Sequence, residues 1–209
     1  MRHGTSCIGA TESHLLGSGY NQIGKTLGFP TASNIGQSDA KRVDAQAGLE
    51  SGMGIMLAAL SGINLSRGPG MMAFANCQSP EKLVVDNNIC GAALRFINGV
   101  ACNEETIAME VIKATGRDAQ EYLTSSHTMK WFKKELFFPT DIIHRRSIRE
   151  GEREGSAWER AKTEVTERLG RFAPVSLPED KIKEIMRIMQ SYAVSKGVDA
   201  LPQVDGWVG

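Results

Sequence analysis

The sequence predicts an α/β fold with a parallel sheet, followed by a helical C-terminal part. Helical patterns alternate with short strand-like runs in the order helix–strand–helix–strand–helix. Residues 1–100 hold 15 of the 22 glycines and only 7 basic and 6 acidic residues, whereas residues 101–209 hold 17 and 18. Because a parallel sheet is covered by helices on both faces, a weakly charged first part fits this architecture.

The first predicted pair is a helix and the strand that follows it. Thr11 can cap the helix, and Gly28 can end it in the left-handed conformation. After Phe29-Pro30 breaks the helical pattern, residues 31–35 are small and partly β-branched, which favours a strand. The apolar positions expected to face the core are Leu15, Leu16, Ile23 and Leu27.

The second predicted pair repeats this arrangement. Asp44 is interpreted as a helix cap, Gly62 ends the helix, and residues 63–66 form the second strand. Ser79 and Pro80 then begin a third, largely apolar helix that is expected to be buried on several sides. The stripe expected to face the core from the second helix is Leu49, Met53, Met56, Leu57 and Leu60.

The remainder of the chain has helical patterns with clear start signals. Asn103 can cap a helix over residues 104–115, and Ser156 with Glu159 forms a capping box. Ser176 and Pro178 precede a last helix. The charged run at 144–154 is interpreted as a solvated linker or an exposed turn.

Length, charge and cysteine content restrict the function classes. A chain of 209 residues suffices for one domain with a core, and its zero net charge argues against a general nucleic-acid binder. No apolar run reaches the ~18 residues of a membrane span, and no secretory signal is seen. The four cysteines lack C-x-x-C or metal-ligand spacing, so we expect reduced thiols, no metal site and a cytoplasmic protein.

Polar residues follow each predicted strand, where parallel sheets bind ligands. The loop at 34–41 concentrates amide, hydroxyl and charged groups, and Arg67 follows the second strand in a glycine-containing loop. Local turn hydrogen bonds are the alternative interpretation of the first loop. The candidate site residues are Asn34, Gln37, Ser38, Asp39 and Arg67.

Several other chemistries are disfavoured. The glycines at 17–24 imitate a nucleotide-binding loop, but they lie within a helical pattern and their spacing is wrong. The sequence contains no Walker A, H-E-x-x-H or G-x-S-x-G motif. A Schiff-base aldolase is mildly disfavoured, because Lys41 lies in a loop beside Arg42 rather than on a strand end.

Three segments of the chain match short sequence patterns that occur in the same order in a known family. In the run 37–50, residues 38–50 fit S/T-D-x-K-x-x-D-A-Q-A-G-x-E, while residues 57–64 fit L-A-A-L-x-G-x-N and residues 79–86 fit S-x-E-x-L-V-x-D. These patterns resemble the trimethylamine methyltransferase family, and shorter matches extend the resemblance over about residues 10–180. The resemblance implies a (β/α)₈ barrel of roughly twice this length.

The resemblance also implies how this chain is organised. It looks like the C-terminal part of such a barrel, a single partial domain with barrel elements in about 1–100 and terminal helices in about 101–209. Only two or three strands are counted, whereas closure needs eight. We therefore expect a homo-oligomer, a complementing chain, or a fragment of a longer gene. A non-catalytic subunit that completes a partner barrel is the alternative function.

The activity implied by the resemblance is methyl transfer from a methylated amine to the cobalt of a separate corrinoid protein. The substrate would be trimethylamine or a quaternary amine such as glycine betaine, with no cofactor bound directly by this chain. In the trimethylamine branch the amine is held on a pyrrolysine. By chain position this residue falls in the loop at 34–41, where the chain has Gln37. A glutamine amide is not an electrophile, so either a quaternary amine is used or an amber codon was recorded as glutamine.

The candidate residues take roles from this chemistry. Gln37 and Asp39 are assigned to catalysis, with Asp39 as the anion beside the cationic amine. Asn34 and Ser38 are assigned to substrate binding. Arg67 is assigned to the carboxylate of a betaine, which a guanidinium can bind in bidentate fashion.

Overall fold

Two short strands form a parallel pair in the first half of the chain. A computed structural model describes residues 4–151, 155–173 and 177–201. Strand β1 (Ala32–Ser33) pairs in parallel with β2 (Leu65–Ser66), with Ala32 opposite Leu65. The predicted parallel pair is confirmed, although both strands are shorter than expected. The fold is therefore a helix-rich α/β arrangement, and no closed barrel is present in these described residues.

Three long helices flank the strands. They are α1 (Thr11–Thr26), α2 (Ala45–Leu60) and α3 (Pro80–Ile97). As predicted, Asp44 caps α2 by accepting two backbone N–H groups of the first turn, and Ser79 caps α3 by accepting the N–H of Lys82. Gly28 follows α1 with φ +79°, also as predicted. The predicted Thr11 cap is wrong, because Thr11 is already helical and the N-cap position is Ala10, which makes no side-chain cap hydrogen bond.

An antiparallel hairpin between β2 and α3 was not predicted. It consists of β3 (Met71–Met72) and β4 (Cys77–Gln78). Its tip contains three consecutive non-glycine residues with left-handed backbones, at φ 49°, 60° and 63° for Ala73, Phe74 and Ala75. Each such residue costs roughly 1–2 kcal/mol, so contacts elsewhere must hold this turn in place.

The predicted core faces of α1 and α2 are wrong. Leu16 and Leu49 are 73% and 62% exposed, and the rest of the two stripes is exposed as well, except for Met56 and Leu57, which are half-buried. With the exception of Ile55, the buried residues are small or polar: His14, Gly17 and Asn21 on α1, and Ala47, Ser51, Gly54, Ile55 and Ala58 on α2. The physical reason is close packing, since a Cβ on Gly54 would lie 2.8 Å from the backbone nitrogen of Gly36.

Helix α3 also departs from the expectation of apolar burial on several sides. Leu94 and Phe96 are 58% and 68% exposed. The buried positions are Lys82, Asp86, Asn88 and Ala93. Polar burial is possible because these side chains have partners, such as Thr140, which bonds to Asn88 through its backbone and hydroxyl.

The remaining helices are shorter or more exposed. Asn103 forms the predicted cap, but the expected helix over 104–115 is interrupted at Ala108, whose φ is +54°. Ser156 and Glu159 form the predicted capping box. Ser176 and residues 152–154 of the charged run lie outside the described residues. These helices are α4 (Glu104–Ile107), α5 (Met109–Thr115), α6 (Ala119–Thr124), α7 (Ser126–Glu135), α8 (Ile148–Gly151), α9 (Ala157–Arg171) and α10 (Glu179–Ser195).

The chain divides into two compact units, residues 1–168 and 169–209. The first unit contains both sheets and all candidate site residues. In the second unit, Gln190 on α10 donates to the carbonyl of Asp199 and accepts from the backbone N–H of Leu201. None of the helices described is both long enough and apolar enough to cross a membrane.

Candidate active site

A buried polar segment follows β1. Gln37, Ser38 and Asp39 are 1%, 0% and 8% exposed. Gly36 makes the turn into this segment with φ +96°, and a Cβ at that position would lie 2.7 Å from Cγ1 of Ile55. A glycine is therefore required both by the backbone conformation and by the packing of α2.

Glu50 of α2 is the centre of the site's hydrogen bonds. Its Oε2 atom accepts the hydroxyl of Ser38 at 2.5 Å and the backbone N–H of Asp39 at 2.7 Å. Its Oε1 atom accepts the amide of Gln46 at 2.9 Å. Partial burial by itself would raise the pKa of Glu50, but these hydrogen bonds lower the pKa below its usual value. The Glu50 carboxylate is consequently ionised at neutral pH.

Asp39 connects the site to the start of the chain. Its Oδ1 atom accepts the backbone N–H of Gly9 at 2.9 Å. Its carbonyl oxygen accepts the ammonium of Lys41 at 2.7 Å, and this ammonium lies 3.8 Å from the ring centre of Phe74 in the hairpin tip. The buried Asp39 therefore contacts the half-buried carboxylate of Glu50 through its backbone N–H.

Two buried polar side chains of the site have unused hydrogen-bonding atoms. Among the described residues, the amide nitrogen and oxygen of Gln37 have no hydrogen-bond partner, and the Nε2 atom of His14 has none either. Burial lowers the pKa of His14, although Glu50 and Asp39 act to raise it. Since buried polar atoms normally have partners, unused ones beside two carboxylates are typical of a site that binds a ligand.

The structure brings three of the predicted site residues together and separates two. Gln37, Ser38 and Asp39 form the buried segment described above. Asn34 and Arg67 are exposed, at the carboxyl ends of β1 and β2 respectively. The side chain of Arg67 makes no hydrogen bond or ion pair with another residue of the described chain. Because β1 and β2 are parallel, both exposed residues lie at the sheet edge that leads into the buried segment.

Glu50 and His14 were missed as site residues. Glu50 ends the family pattern that begins beside Gln37, so the pattern contained the signal, but it gave no role. His14 has no comparable signal, because a single histidine in a helix with an apolar stripe does not indicate which face is buried.

A second buried charged cluster links α2, α3 and the hairpin. The ammonium of Lys82 lies 2.5 Å from Oδ2 of Asp86 and 2.7 Å from the hydroxyl of Ser51. The same Oδ2 atom accepts the backbone N–H of Gly70 at 2.7 Å. Burial raises the pKa of Asp86 despite the nearby Lys82. The sequence signal for this cluster is the spacing of Lys82 and Asp86, four residues apart in a helix, which places both side chains on one face.

A buried polar cluster directly after a parallel strand is typical of an α/β enzyme. A family model described as trimethylamine methyltransferase matches residues 1–193, and the chain belongs to that family. The predicted family is therefore confirmed.

Relatives in the family share parts of their sequences with this chain. The glycine betaine methyltransferase of Desulfitobacterium hafniense strain Y51 is 37% identical over 141 residues, which is 67% of this chain and 29% of the relative. A trimethylamine methyltransferase of Methanosarcina barkeri strain Fusaro is 35% identical over 116 residues, covering 56% and 23%. One from D. hafniense strain DCB-2 is 26% identical over 201 residues, covering 95% and 40%. The chain thus spans well under half the length of these relatives.

Proposed function

We propose that this chain forms the C-terminal part of a (β/α)₈ barrel that transfers a methyl group from a methylated amine to the cobalt of a corrinoid protein. Family membership and the activities named for the relatives support this proposal. The observation that carries it is the buried segment after β1, in which Gln37 has an unpartnered amide and Asp39 is bonded to the half-buried carboxylate of Glu50. The reduced cobalt of the partner supplies the nucleophile, and this chain binds and orients the amine.

The carboxylates determine the charge of the proposed substrate. A quaternary or protonated amine is cationic, and carboxylates in a water-poor site attract a cation more strongly than they do in water. As the methyl group departs, the nitrogen becomes neutral and this attraction weakens. Asp39 therefore contributes mainly to binding and orientation of the amine, since an interaction that weakens in the transition state does not lower the barrier.

Gln37 favours a quaternary amine over a tertiary one. Its amide cannot form a covalent bond to the amine nitrogen, and a quaternary nitrogen needs no prior activation because it is already cationic. The buried carbonyl oxygen of Gln37, which has no partner in the described chain, can contact the polarised methyl groups of such a cation. Determining the DNA sequence of codon 37 distinguishes a glutamine codon from an amber codon.

Arg67 favours a betaine within that class. Its exposed guanidinium lies at the carboxyl end of β2, the sheet edge that leads to the buried segment. A betaine carries a carboxylate that a guanidinium binds in bidentate fashion, whereas trimethylamine does not.

Methylation of free cob(I)alamin, followed by absorbance, tests these roles. We expect Asp39→Asn to raise the KM for glycine betaine by about tenfold or more, the effect of one lost charged contact. Arg67→Met should raise the KM for glycine betaine but leave turnover of tetramethylammonium, a quaternary amine without a carboxylate, unchanged, and Arg42→Met, an exposed control, should affect neither. Unchanged kinetics in Asp39→Asn would remove the case for that residue.

A subunit that only completes a partner barrel is the second candidate. Within the described residues the parallel sheet has two strands, each with one unpaired edge, whereas a barrel needs eight. Further strands must come from a longer form of the chain or from another chain. Co-purification of a second polypeptide that restores methyl transfer only in the complex, with Asp39→Asn still active there, would favour this role.

A further inference from the structure

The hairpin of β3 and β4 is bonded to the buried segment of the site. The backbone N–H of Ser38 donates to the carbonyl of Met71 at 3.1 Å, and the backbone N–H of Ala73 donates to the carbonyl of Ala40 at 3.0 Å. These two bonds bracket Asp39. The position of the hairpin therefore determines where the backbone on either side of Asp39 lies.

The other end of the hairpin is held by the buried charged cluster. Asp86 accepts the backbone N–H of Gly70, the residue immediately before β3, at 2.7 Å. The carbonyl of Gly70 in turn accepts the backbone N–H of Ser79, the cap of α3. Lys82 neutralises Asp86 and also donates to Ser51 of α2. One buried carboxylate thus joins α3 and, through Lys82, α2 to the start of the hairpin.

Backbone strain makes this anchoring necessary. Ala73, Phe74 and Ala75 hold left-handed conformations that residues with a Cβ rarely adopt. Such a turn persists only where surrounding contacts determine it. Within the tip, Asn76 donates to the carbonyl of Ala73 and Lys41 contacts the ring of Phe74. The contacts that fix the hairpin against the rest of the fold include the Gly70–Asp86 bond at one end of β3 and the bonds of Met71 and Ala73 to the site segment.

We infer that the Lys82–Asp86 pair positions the active-site segment through the hairpin. A buried ion pair is an inefficient way to stabilise a fold, because desolvation opposes the attraction between the charges. The pair instead supplies a fixed, neutralised acceptor for Gly70 at a place that solvent does not reach. Asp86 is thus a positioning residue that acts through Gly70, Met71 and Ser38. The consequence for methyl transfer rests on the proposed function, whereas the coupling between Asp86 and Ser38 does not.

Two matched double variants of the full chain test this coupling. Lys82→Met/Asp86→Asn removes both charges and keeps an oxygen acceptor for Gly70. Lys82→Met/Asp86→Leu removes the same charges and replaces that acceptor with an apolar group of similar shape. Amide hydrogen exchange is measured by mass spectrometry on peptides covering residues 36–43, with peptides from α1 as the internal reference.

We expect exchange in residues 36–43 to be at least about tenfold faster in the leucine variant than in the asparagine variant, the effect of one lost hydrogen bond, with α1 unchanged. Equal exchange in both variants would overturn the inference. Equal acceleration throughout α1 would also overturn it, because that result indicates a general loss of stability. If the protein transfers methyl groups, the leucine variant should also have the lower kcat of the two with little change in KM. Absence of methyl transfer in the wild type would refute the proposed function and leave the exchange result standing.

Discussion

The Oε2 atom of Glu50 accepts the hydroxyl of Ser38 at 2.5 Å. The same oxygen accepts the backbone N–H of Asp39, so one carboxylate of α2 holds two consecutive residues after β1. Because these bonds use protein donors, the segment is ordered before any ligand binds. Such pre-organisation reduces the entropy lost on binding.

Replacing Glu50 should therefore destabilise the fold. Glu50→Gln removes the charge that strengthens both hydrogen bonds, and we expect the free energy of unfolding to fall by about 1–3 kcal/mol. Urea denaturation measures this change. Glu12→Gln, an exposed acidic residue on α1, is the control and should change stability by less than about 0.5 kcal/mol. Equal stability of Glu50→Gln and the wild type would contradict the assigned role.

His14 should make stability depend on pH below neutrality. The unfolded chain binds a proton at an ordinary histidine near pH 6.5, whereas burial lowers the pKa of His14 in the folded protein. The unfolded state consequently gains the proton first as the pH falls, so the stability present above about pH 6.5 is lost toward the folded-state pKa. The slope cannot exceed about 1.4 kcal/mol per pH unit for one proton.

Denaturation of the wild type and His14→Gln between pH 7.5 and pH 5 tests this dependence. We expect the variant to lose less stability over the range, because it lacks the group that must be protonated on unfolding. Identical slopes for the two proteins would show that His14 does not titrate differently in the folded state.

A pair of glycine substitutions should change stability in opposite directions. A Cβ on Gly68 would lie 2.5 Å from both the nitrogen of Gln37 and the carbonyl oxygen of Ile35. Because backbone atoms cannot move aside cheaply, Gly68→Ala should cost about 1–3 kcal/mol. Gly52 lies within α2 with no atom near its Cβ position, so Gly52→Ala should stabilise by up to about 1 kcal/mol. Thermal unfolding of both variants gives the comparison, and a tolerated Gly68→Ala would contradict the close approach.

Replacing Gln37 by an apolar residue should maintain or raise stability but lower activity. Its amide atoms are buried without partners in the described structure, so replacing the amide by an apolar group removes an unsatisfied polar pair. We expect the free energy of unfolding of Gln37→Leu to be equal to that of the wild type or higher by up to about 2 kcal/mol. If Gln37 contacts the amine, the same variant should lose methyl transfer. A stable variant with full activity would exclude that contact.

Local chemistry made the ends of the elements predictable. Asp44 and Ser79 cap their helices because a short oxygen-bearing side chain satisfies free N–H groups of the first turn, whatever lies farther away. The parallel pairing of the strands was also predictable from the alternation of helices and strands. The buried segment at 37–39 was found because ligand sites follow parallel strands.

The buried faces were not predictable from apolar spacing. On α1 the leucines are exposed while His14 and Asn21 are buried, because Gly17 and other small residues allow the helix to approach the strands closely. The hairpin was missed because two-residue strands have no periodicity. Glu50 was missed as a site residue because its role depends on a contact across eleven or twelve positions of the chain.

The close approach of Gly68 to Gln37 also governs where the chain can be lengthened. An inserted residue at either position would push two backbones apart and carry the Glu50 network with them, so insertions there should abolish folding. Gly28 and Gly99 lie in exposed turns, have positive φ angles and have no atom near the position that a Cβ would take. Peptide tags and reporter domains should therefore be placed at these two turns.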